Sequence, residues 1–124
     1  MSETETSAIV GYHAHVYYDA ETKPLAAEVR AGFEARFETG PHDASDPGVI
    51  RMGRWHDKPI GPHPMGSYQI AFAPDRFAEI VPWLALNRRG LTVFIHPETG
   101  DDVTDHSDYA IWLGVQRQVD LSVL

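Results

Sequence analysis

The alternation of apolar and polar side chains is clearest over residues 9–18, where Val, Ile and Tyr dominate. These side chains suit a pleated strand, and successive residues of a strand point to opposite faces. The even positions, from Val10 to Tyr18, are apolar or aromatic, whereas the odd positions include His13 and His15. The pattern therefore predicts a first strand with one core face and one face that bears histidine.

Three further segments are predicted strands, and they are Val49–Trp55, Met65–Phe72 and Leu91–His96. Gly53 makes the first of them less regular, because glycine weakens the interior of a strand. The run 57–64 is too rich in proline and glycine for a central strand, so we expect a rigid connection there. This connection would hold His63 just ahead of the third strand.

Two segments have the apolar spacing of helices. The first begins near Thr22 and runs through Phe37, and the Gly-Pro pair after it introduces a polar loop over 41–47. The second covers Asp75–Arg89 and contains Pro82, which has no amide proton and disfavours a helical residue before it. We expect either a kink there or a short 3₁₀ turn followed by a helix that starts near Pro82.

The order strand, helix, strand, strand, helix, strand predicts an α+β, ferredoxin-like βαββαβ fold. Its four-stranded antiparallel sheet would have the order 4-1-3-2, with both helices on one face. The helix-covered core would contain Val10, Tyr12, Val16, Ile70, Phe72, Val93 and Ile95. The open face would carry His13, His15, Ser67, Gln69, Phe94 and His96, with His63 near the end of the first strand.

An open sheet face with aromatic side chains is rarely left fully exposed to water. A second subunit or the C-terminal extension, residues 107–124, could cover it. Two such sheets facing each other would make a dimeric α/β barrel, and we therefore expect a homodimer. Residues 1–124 are predicted to form one domain, in which 1–7 is a disordered tail.

Composition narrows the classes of partner and site. The chain has 124 residues, and its 10 Lys and Arg against 18 Asp and Glu give a net charge of −8, which disfavours nucleic acid and anionic membranes. With no cysteine, any metal must be held by nitrogen and oxygen. The polar N-terminus and the lack of a long apolar run favour a cytoplasmic protein.

His13 and His15 lie two residues apart on one strand, about 6–7 Å between Cα atoms, so both can reach one cation. With His63 and His96 on the same predicted face, they indicate a metal or acid/base site. Imidazole suits Zn, Cu and Ni, and Fe(II) enzymes often use two histidines and a carboxylate.

The pattern leaves the remaining chemistry open. The acidic residues after His96, from Glu98 to Asp108, mostly fit a solvated turn, and no one of them stands out as a ligand. His106 is undecided, and His42 and His56 are predicted surface residues. Arg51 and Arg54 could bind a substrate carboxylate, although arginines on an edge strand more often aid solubility. A cupin site also begins with His-x-His, but a predicted helix follows here, where a cupin would continue in strands.

Several motifs in sequence order carry a resemblance to a known family. They are Gly11–Tyr18, Gly61–Pro64, Val93–Pro97 followed by Thr99–Asp101, and Asp105-His106 with Trp112–Gly114. Together they resemble the small DOPA 4,5-dioxygenase family of fungi and bacteria over nearly the whole chain from Gly11 to Gly114.

The resemblance implies a ferredoxin-like dimer that opens a catechol ring by extradiol cleavage with O₂ and non-haem iron. Fe(II) is then the expected metal, although Zn or another divalent ion could replace it in purified protein. Some of His13, His15, His63 and His96 would bind it and the rest would move protons, while Phe94 and Tyr17 could wall the ring. The main alternative is a non-enzymatic dimeric α/β-barrel protein that binds an aromatic ligand or a structural metal, and a different metal-dependent reaction on a related aromatic is a third.

Overall fold

A computed structural model describes residues 3–124, which form an α+β fold around one sheet. The strands are β1 Gly11–Tyr18, β2 Thr39–Pro41, β3 Ile50–Met52, β4 Gly66–Phe72, β5 Val93–Glu98 and β6 Ile111–Leu113. The helices are α1 Lys23–Arg36, α2 Phe77–Asn87 and α3 Asp102–Asp105. Short 3₁₀ turns occupy Thr6–Ala8, Pro74–Arg76 and Leu121–Val123.

The strand order is β2-β3-β4-β1-β5-β6, and the central strands β5-β1-β4-β3 follow the predicted order 4-1-3-2. The α+β class is confirmed, but the predicted four-stranded antiparallel sheet is wrong. The sheet has six strands and is mixed, because β2 pairs with β3 in parallel. The two additional strands have three residues each, too few to show an alternating pattern, and β2 begins before the predicted loop 41–47.

One face of the sheet packs on α1 and α2 and forms the hydrophobic core. Of the predicted core residues, those confirmed as buried there are Val16, Ile70, Phe72, Val93 and Ile95. Tyr12 is partly buried against the core. Val10 was placed in the core wrongly: it is 76% exposed because it precedes the first residue of β1.

Two backbone features depart from the sequence pattern. The second predicted strand ends at Met52, and the backbone at Gly53 lies so close to β4 that a Cβ there would be 2.9 Å from the Gln69 carbonyl oxygen. A 3₁₀ turn does precede the second helix, but it lies at Pro74–Arg76, and the helix continues through Pro82. Burial of Ile80 and Leu84 on either side of the proline stabilises this helix despite one lost hydrogen bond.

The opposite face of the sheet, here the histidine face, is partly covered by the chain itself. The Thr92 hydroxyl donates to the Val115 carbonyl at 2.8 Å, and the Asp120 amide donates to the Pro62 carbonyl at 2.9 Å. The C-terminal extension therefore packs back on the domain. Of the predicted tail 1–7, residues 1–2 lie outside the described residues. Within the described part of the chain, no helix is long and apolar enough to cross a membrane.

Candidate metal centre on the histidine face

The four histidines singled out from the sequence meet on the histidine face. β1 presents His13 and His15, and the register places His13 opposite His96 of β5. The Nε2 atoms of His15 and His96 are 3.1 Å apart. His63, from the loop ahead of β4, lies with its ring centroid 4.1 Å from that of His15. The predicted strand parity and the rigid loop thus bring all four imidazoles together.

Three of these imidazoles have the spacing that a metal site requires. One ring nitrogen from each of His13, His15 and His96 lies within 4.8 Å of the other two. Two nitrogens bound to one ion at about 2.0–2.2 Å lie about 2.8–3.1 Å apart in octahedral geometry and about 3.3–3.6 Å apart in tetrahedral geometry. The 3.1 Å separation of the two Nε2 atoms matches the octahedral spacing. This donor set therefore fits a divalent transition metal.

Hydrogen bonds on the far side of the His96 ring direct its lone pair toward the other histidines. His96 Nδ1–H donates to the Pro97 carbonyl at 3.0 Å, so a neutral His96 keeps its lone pair on Nε2. Glu98 Oε1 lies 3.2 Å from His13 Nδ1 and 3.4 Å from His96 Nδ1. A carboxylate that holds the second nitrogen of ligand histidines fixes their tautomer and makes them better donors.

Burial keeps these imidazoles neutral. The pKa of His13 is lowered to about 3, and that of His63 and of His96 to about 4, mainly because burial disfavours the charged ring. The pKa of His15 is lowered further by the same cause, with neighbouring imidazoles adding repulsion. A metal ligand must be the neutral imidazole. At neutral pH the cluster therefore carries no positive charge that would repel a cation.

A small cavity adjoins the cluster and is bordered by His63. It has a volume of about 230 Å³, and its lining residues are His15, His56, Ile60, Gly61, Pro62, His63, Ser67 and Gln69. Tyr17 Oη is 2.8 Å from His63 Nδ1, and this hydrogen bond fixes the His63 ring. Burial raises the pKa of Tyr17, so its hydroxyl stays protonated. His56, predicted as a surface residue, is half-buried at this cavity, whereas His42 is exposed as expected.

The structure adds two site residues that the sequence left open. Glu98 was grouped with the turn acids, because the fourth strand was expected to end at His96. Since β5 continues through Pro97, Glu98 falls on the same face as His96. His106 follows α3, and its ring centroid lies 3.9 Å from that of His96. Its Nδ1–H donates to the Asp102 carbonyl at 2.7 Å.

Asp105 anchors the turn that carries Glu98 and His106. It is fully buried, and its carboxylate accepts hydrogen bonds from the Thr99 amide at 2.9 Å and the Thr99 hydroxyl at 2.6 Å. The prediction of a solvated turn is therefore wrong for Asp105. It holds for Asp101, which is exposed. No sequence signal distinguishes Asp105 from Asp101, because the burial of Asp105 goes with its hydrogen bonds to Thr99.

Aromatic rings close the side of the cluster next to β6. Phe94 of β5 lies opposite His15 of β1. Trp112 of β6 stacks on Phe94, with ring centroids 4.4 Å apart. Trp112 also contacts Tyr17, at 6.3 Å between centroids. The predicted wall residues Phe94 and Tyr17 are thus both buried beside the histidines, and Trp112 joins them.

Comparison with known proteins connects this site to a family. The model of the Dopa 4,5-dioxygenase family matches residues 12–123. A protein of Amanita muscaria named DOPA 4,5-dioxygenase is 31% identical over 121 residues, which cover 95% of this chain and 51% of the Amanita protein. An uncharacterized 21.2 kDa protein of Botryotinia fuckeliana is 32% identical over 133 residues, which cover 100% of this chain and 69% of that protein. The chain thus spans about half of the Amanita relative.

A solved structure agrees with these sequence relatives. The crystal structure of a Nostoc punctiforme protein described as a "putative dioxygenase" matches with a TM-score of 0.86 and 49% sequence identity. The match covers 98% of this chain and 96% of that one. The names of the family and of this neighbour support an oxygenase enzyme. Because the family model matches nearly the whole chain, the protein belongs to the Dopa 4,5-dioxygenase family.

Proposed function

We propose that the protein is a non-haem, metal-dependent extradiol dioxygenase that opens the ring of DOPA or a related catechol with O₂. The observation that carries this proposal is the convergence of three neutral imidazoles with ligand spacing beside a small cavity, two of them buried and the third, His13, half-buried. Family membership supports the class of reaction. The substrate and the cleavage position are our inference from that membership and from the chemistry of the site.

In this proposal His13, His15 and His96 hold Fe(II). Iron bound there supplies a redox-active Lewis acid at which a catechol and O₂ can meet. An ion held by these three residues would have coordination positions left for the reactants. Glu98 orients His13 and His96 through their Nδ1 atoms. Zn²⁺ or another divalent ion suits the same nitrogen donors and could replace iron in purified protein.

His63 is the group placed to move a proton. It borders the cavity next to His15, and the Tyr17 hydroxyl occupies its Nδ1, which leaves Nε2 to exchange a proton with a bound catechol. A catechol hydroxyl must lose its proton to bind a metal as an anion, so a neutral imidazole nearby assists binding and reaction. Phe94 and Trp112 shield this region from water.

The proposal is tested by loading the protein with Fe(II) without oxygen, adding a catechol, and then admitting ¹⁸O₂. We expect a yellow ring-opened semialdehyde that contains both labelled oxygen atoms. Binding of catechols without this product would contradict the enzyme and favour a non-enzymatic ligand-binding protein. Colour that is equally strong in metal-free protein would contradict the metal dependence.

The role of His63 needs a variant that preserves the metal. His63→Gln should keep bound iron but lower the ring-opening rate by about 10²- to 10⁴-fold, the usual contribution of a general acid or base. His42→Gln is the matched control, since His42 is exposed and bonded to Arg54 at 3.0 Å, away from the cluster. An unchanged rate in His63→Gln would remove His63 from the mechanism.

We further propose that the chain forms a homodimer. The C-terminal extension covers part of the histidine face, so the uncovered face from which a dimer was first expected is smaller than assumed. The remaining support for a dimer is the exposed apolar surface at the edge strand β6. There Ile111 is 37% exposed, and the nearby Tyr109 is 41% exposed. Light scattering should give twice the chain mass, and a value equal to the chain mass would contradict the dimer and its closed barrel.

A further inference from the structure

Arg51 extends the histidine face beyond the cluster described above. It lies opposite Ala71 of β4, which lies opposite His13 of β1, so the three residues form one row across the sheet. Paired Cα atoms of antiparallel strands are about 4.5–5.5 Å apart, which puts Arg51 about 9–11 Å from His13 by Cα atoms. The residue between them has only a methyl side chain, so the long arginine side chain can extend over Ala71 toward His13.

The charge of Arg51 acts on the site, yet no protein carboxylate neutralises it. Its guanidinium lowers the pKa of His13 as a minor addition to the effect of burial. It also partly opposes the rise in the pKa of Glu98 that burial, Asp105 and Asp102 cause. Among residues 3–124, no carboxylate oxygen lies within 4.0 Å of Arg51. The carboxylate of Glu98 lies close to His13 and His96 instead.

Arg51 also has an unused hydrogen-bond donor. Its Nε is shielded from solvent and has no partner, and it is the sole buried side-chain nitrogen or oxygen of this kind in residues 3–124. Other arginines have acceptors: Arg30 donates to the Gly53 carbonyl and Arg88 to the Leu91 carbonyl, each at 2.9 Å. A buried donor left unpaired is costly, and a guanidinium matches a carboxylate through two parallel hydrogen bonds.

We propose that Arg51 binds the carboxylate of the substrate side chain and so selects catechols that carry an anionic group. This inference rests on the proposed function and names the substrate class for the same site. The catechol ring would lie beside His15 and His63, and the side chain would run over Ala71 to Arg51. A bound anion would supply the missing acceptor and offset the positive charge that a metal ion adds nearby.

The test compares ligands that share either the ring or the carboxylate. Metal-loaded protein is titrated calorimetrically without oxygen with 3,4-dihydroxyphenylacetate, with 4-methylcatechol, and with phenylacetate, which has no hydroxyls. Arg51→Gln should weaken binding of both carboxylates by about 10- to 100-fold and that of 4-methylcatechol by less than about twofold. Arg54→Gln is the matched control, because Arg54 is exposed and bonded to His42. It should change the affinity for none of the three ligands.

The outcomes separate this inference from the proposed function. Equal losses for 4-methylcatechol and 3,4-dihydroxyphenylacetate would overturn the inference, because Arg51 would then act on the metal site rather than on the carboxylate. Unchanged carboxylate binding in Arg51→Gln, or wild-type protein that binds no carboxylate, would also overturn it. If both catechols bind but neither is opened in air, the proposed function fails, while the carboxylate contrast still decides the role of Arg51.

Discussion

The two faces of strand β1 are both buried but contribute differently to the protein. Ala14 and Val16 face the helices and are fully buried, and His15, on the opposite face, is only 4% exposed. Burial of apolar surface stabilises the fold by about 25 cal/mol per Å². Burial of an imidazole favours its neutral form and costs free energy unless its nitrogens are hydrogen-bonded or bound to a metal. The helix-covered face therefore stabilises the domain, whereas the histidine face carries buried imidazoles at a cost in stability.

This difference means that neighbouring residues on one strand should have separable effects. Ile95 and His96 are adjacent on β5 and almost fully buried, but they point to opposite faces. Substitution of Ile95 should act on the free energy of unfolding, whereas substitution of His96 should act on metal and activity. The largest of these effects is expected at His96.

His96→Ala should nearly abolish metal binding and ring opening. Loss of an outer-shell partner alone commonly costs 10–100-fold in metal affinity, so loss of a ligand should cost more than about 100-fold. The check is the metal content per chain after dialysis, measured by mass spectrometry, together with circular dichroism to show that the variant is folded. A folded His96→Ala protein with wild-type metal content would remove His96 from the site.

Ile95→Ala should have the opposite profile. Truncation of a fully buried isoleucine leaves a cavity and should lower the free energy of unfolding by about 2–5 kcal/mol. The folded protein should still bind metal as the wild type does. Urea unfolding of the metal-free protein measures the first quantity, and metal titration below the unfolding transition measures the second. Weakened metal binding in the folded variant would show that the two faces are coupled.

Glu98→Gln should produce an intermediate effect, confined to the histidine face. The amide preserves the shape of the side chain but removes the charge near His13 and His96. We expect metal affinity to fall by about 10- to 100-fold. Glu79→Gln is the control, because Glu79 pairs with Arg76 on the helix-covered side. A gain in affinity for Glu98→Gln would contradict the orienting role.

The pH dependence of stability should be the most distributed effect, and it should be the smallest when counted per imidazole and per pH unit. The pKa of His63 and of His96 is about 4 in the folded protein, below the ordinary value of about 6.5. Between these values the unfolded chain binds protons that the folded chain does not, so metal-free protein should lose stability as pH falls through this range. Each buried imidazole contributes up to about 1.4 kcal/mol per pH unit.

Urea unfolding at several pH values between 4 and 7 measures this slope. His63→Gln removes one of the buried imidazoles and should make the slope less steep than in the wild type. His42→Gln removes an exposed histidine and should not. Equal slopes for wild type and His63→Gln would contradict the depressed pKa of His63.

Local patterns predicted much of this arrangement because they report on strand parity. The alternation in β1 placed Val16 and His15 on opposite faces, and the proline-rich loop brought His63 to them. The patterns failed where a contact with a distant segment decides the structure. β2 and β6 are too short to show alternation, and Asp105 is distinguished from Asp101 only by its bonds to Thr99. Glu98 was overlooked because the fourth strand was expected to end at His96.

We propose that the histidine face binds one metal ion and that ring opening requires this ion. The most direct measurement is a titration of metal-free protein with Fe(II) under anaerobic conditions, each sample then receiving a catechol and air. The ring-opening rate should rise linearly and stop rising at one Fe(II) per chain in wild type and Ile95→Ala, and stay at the background rate in His96→Ala. A rate independent of added Fe(II), or a His96→Ala titration that matches the wild type, would contradict the claim.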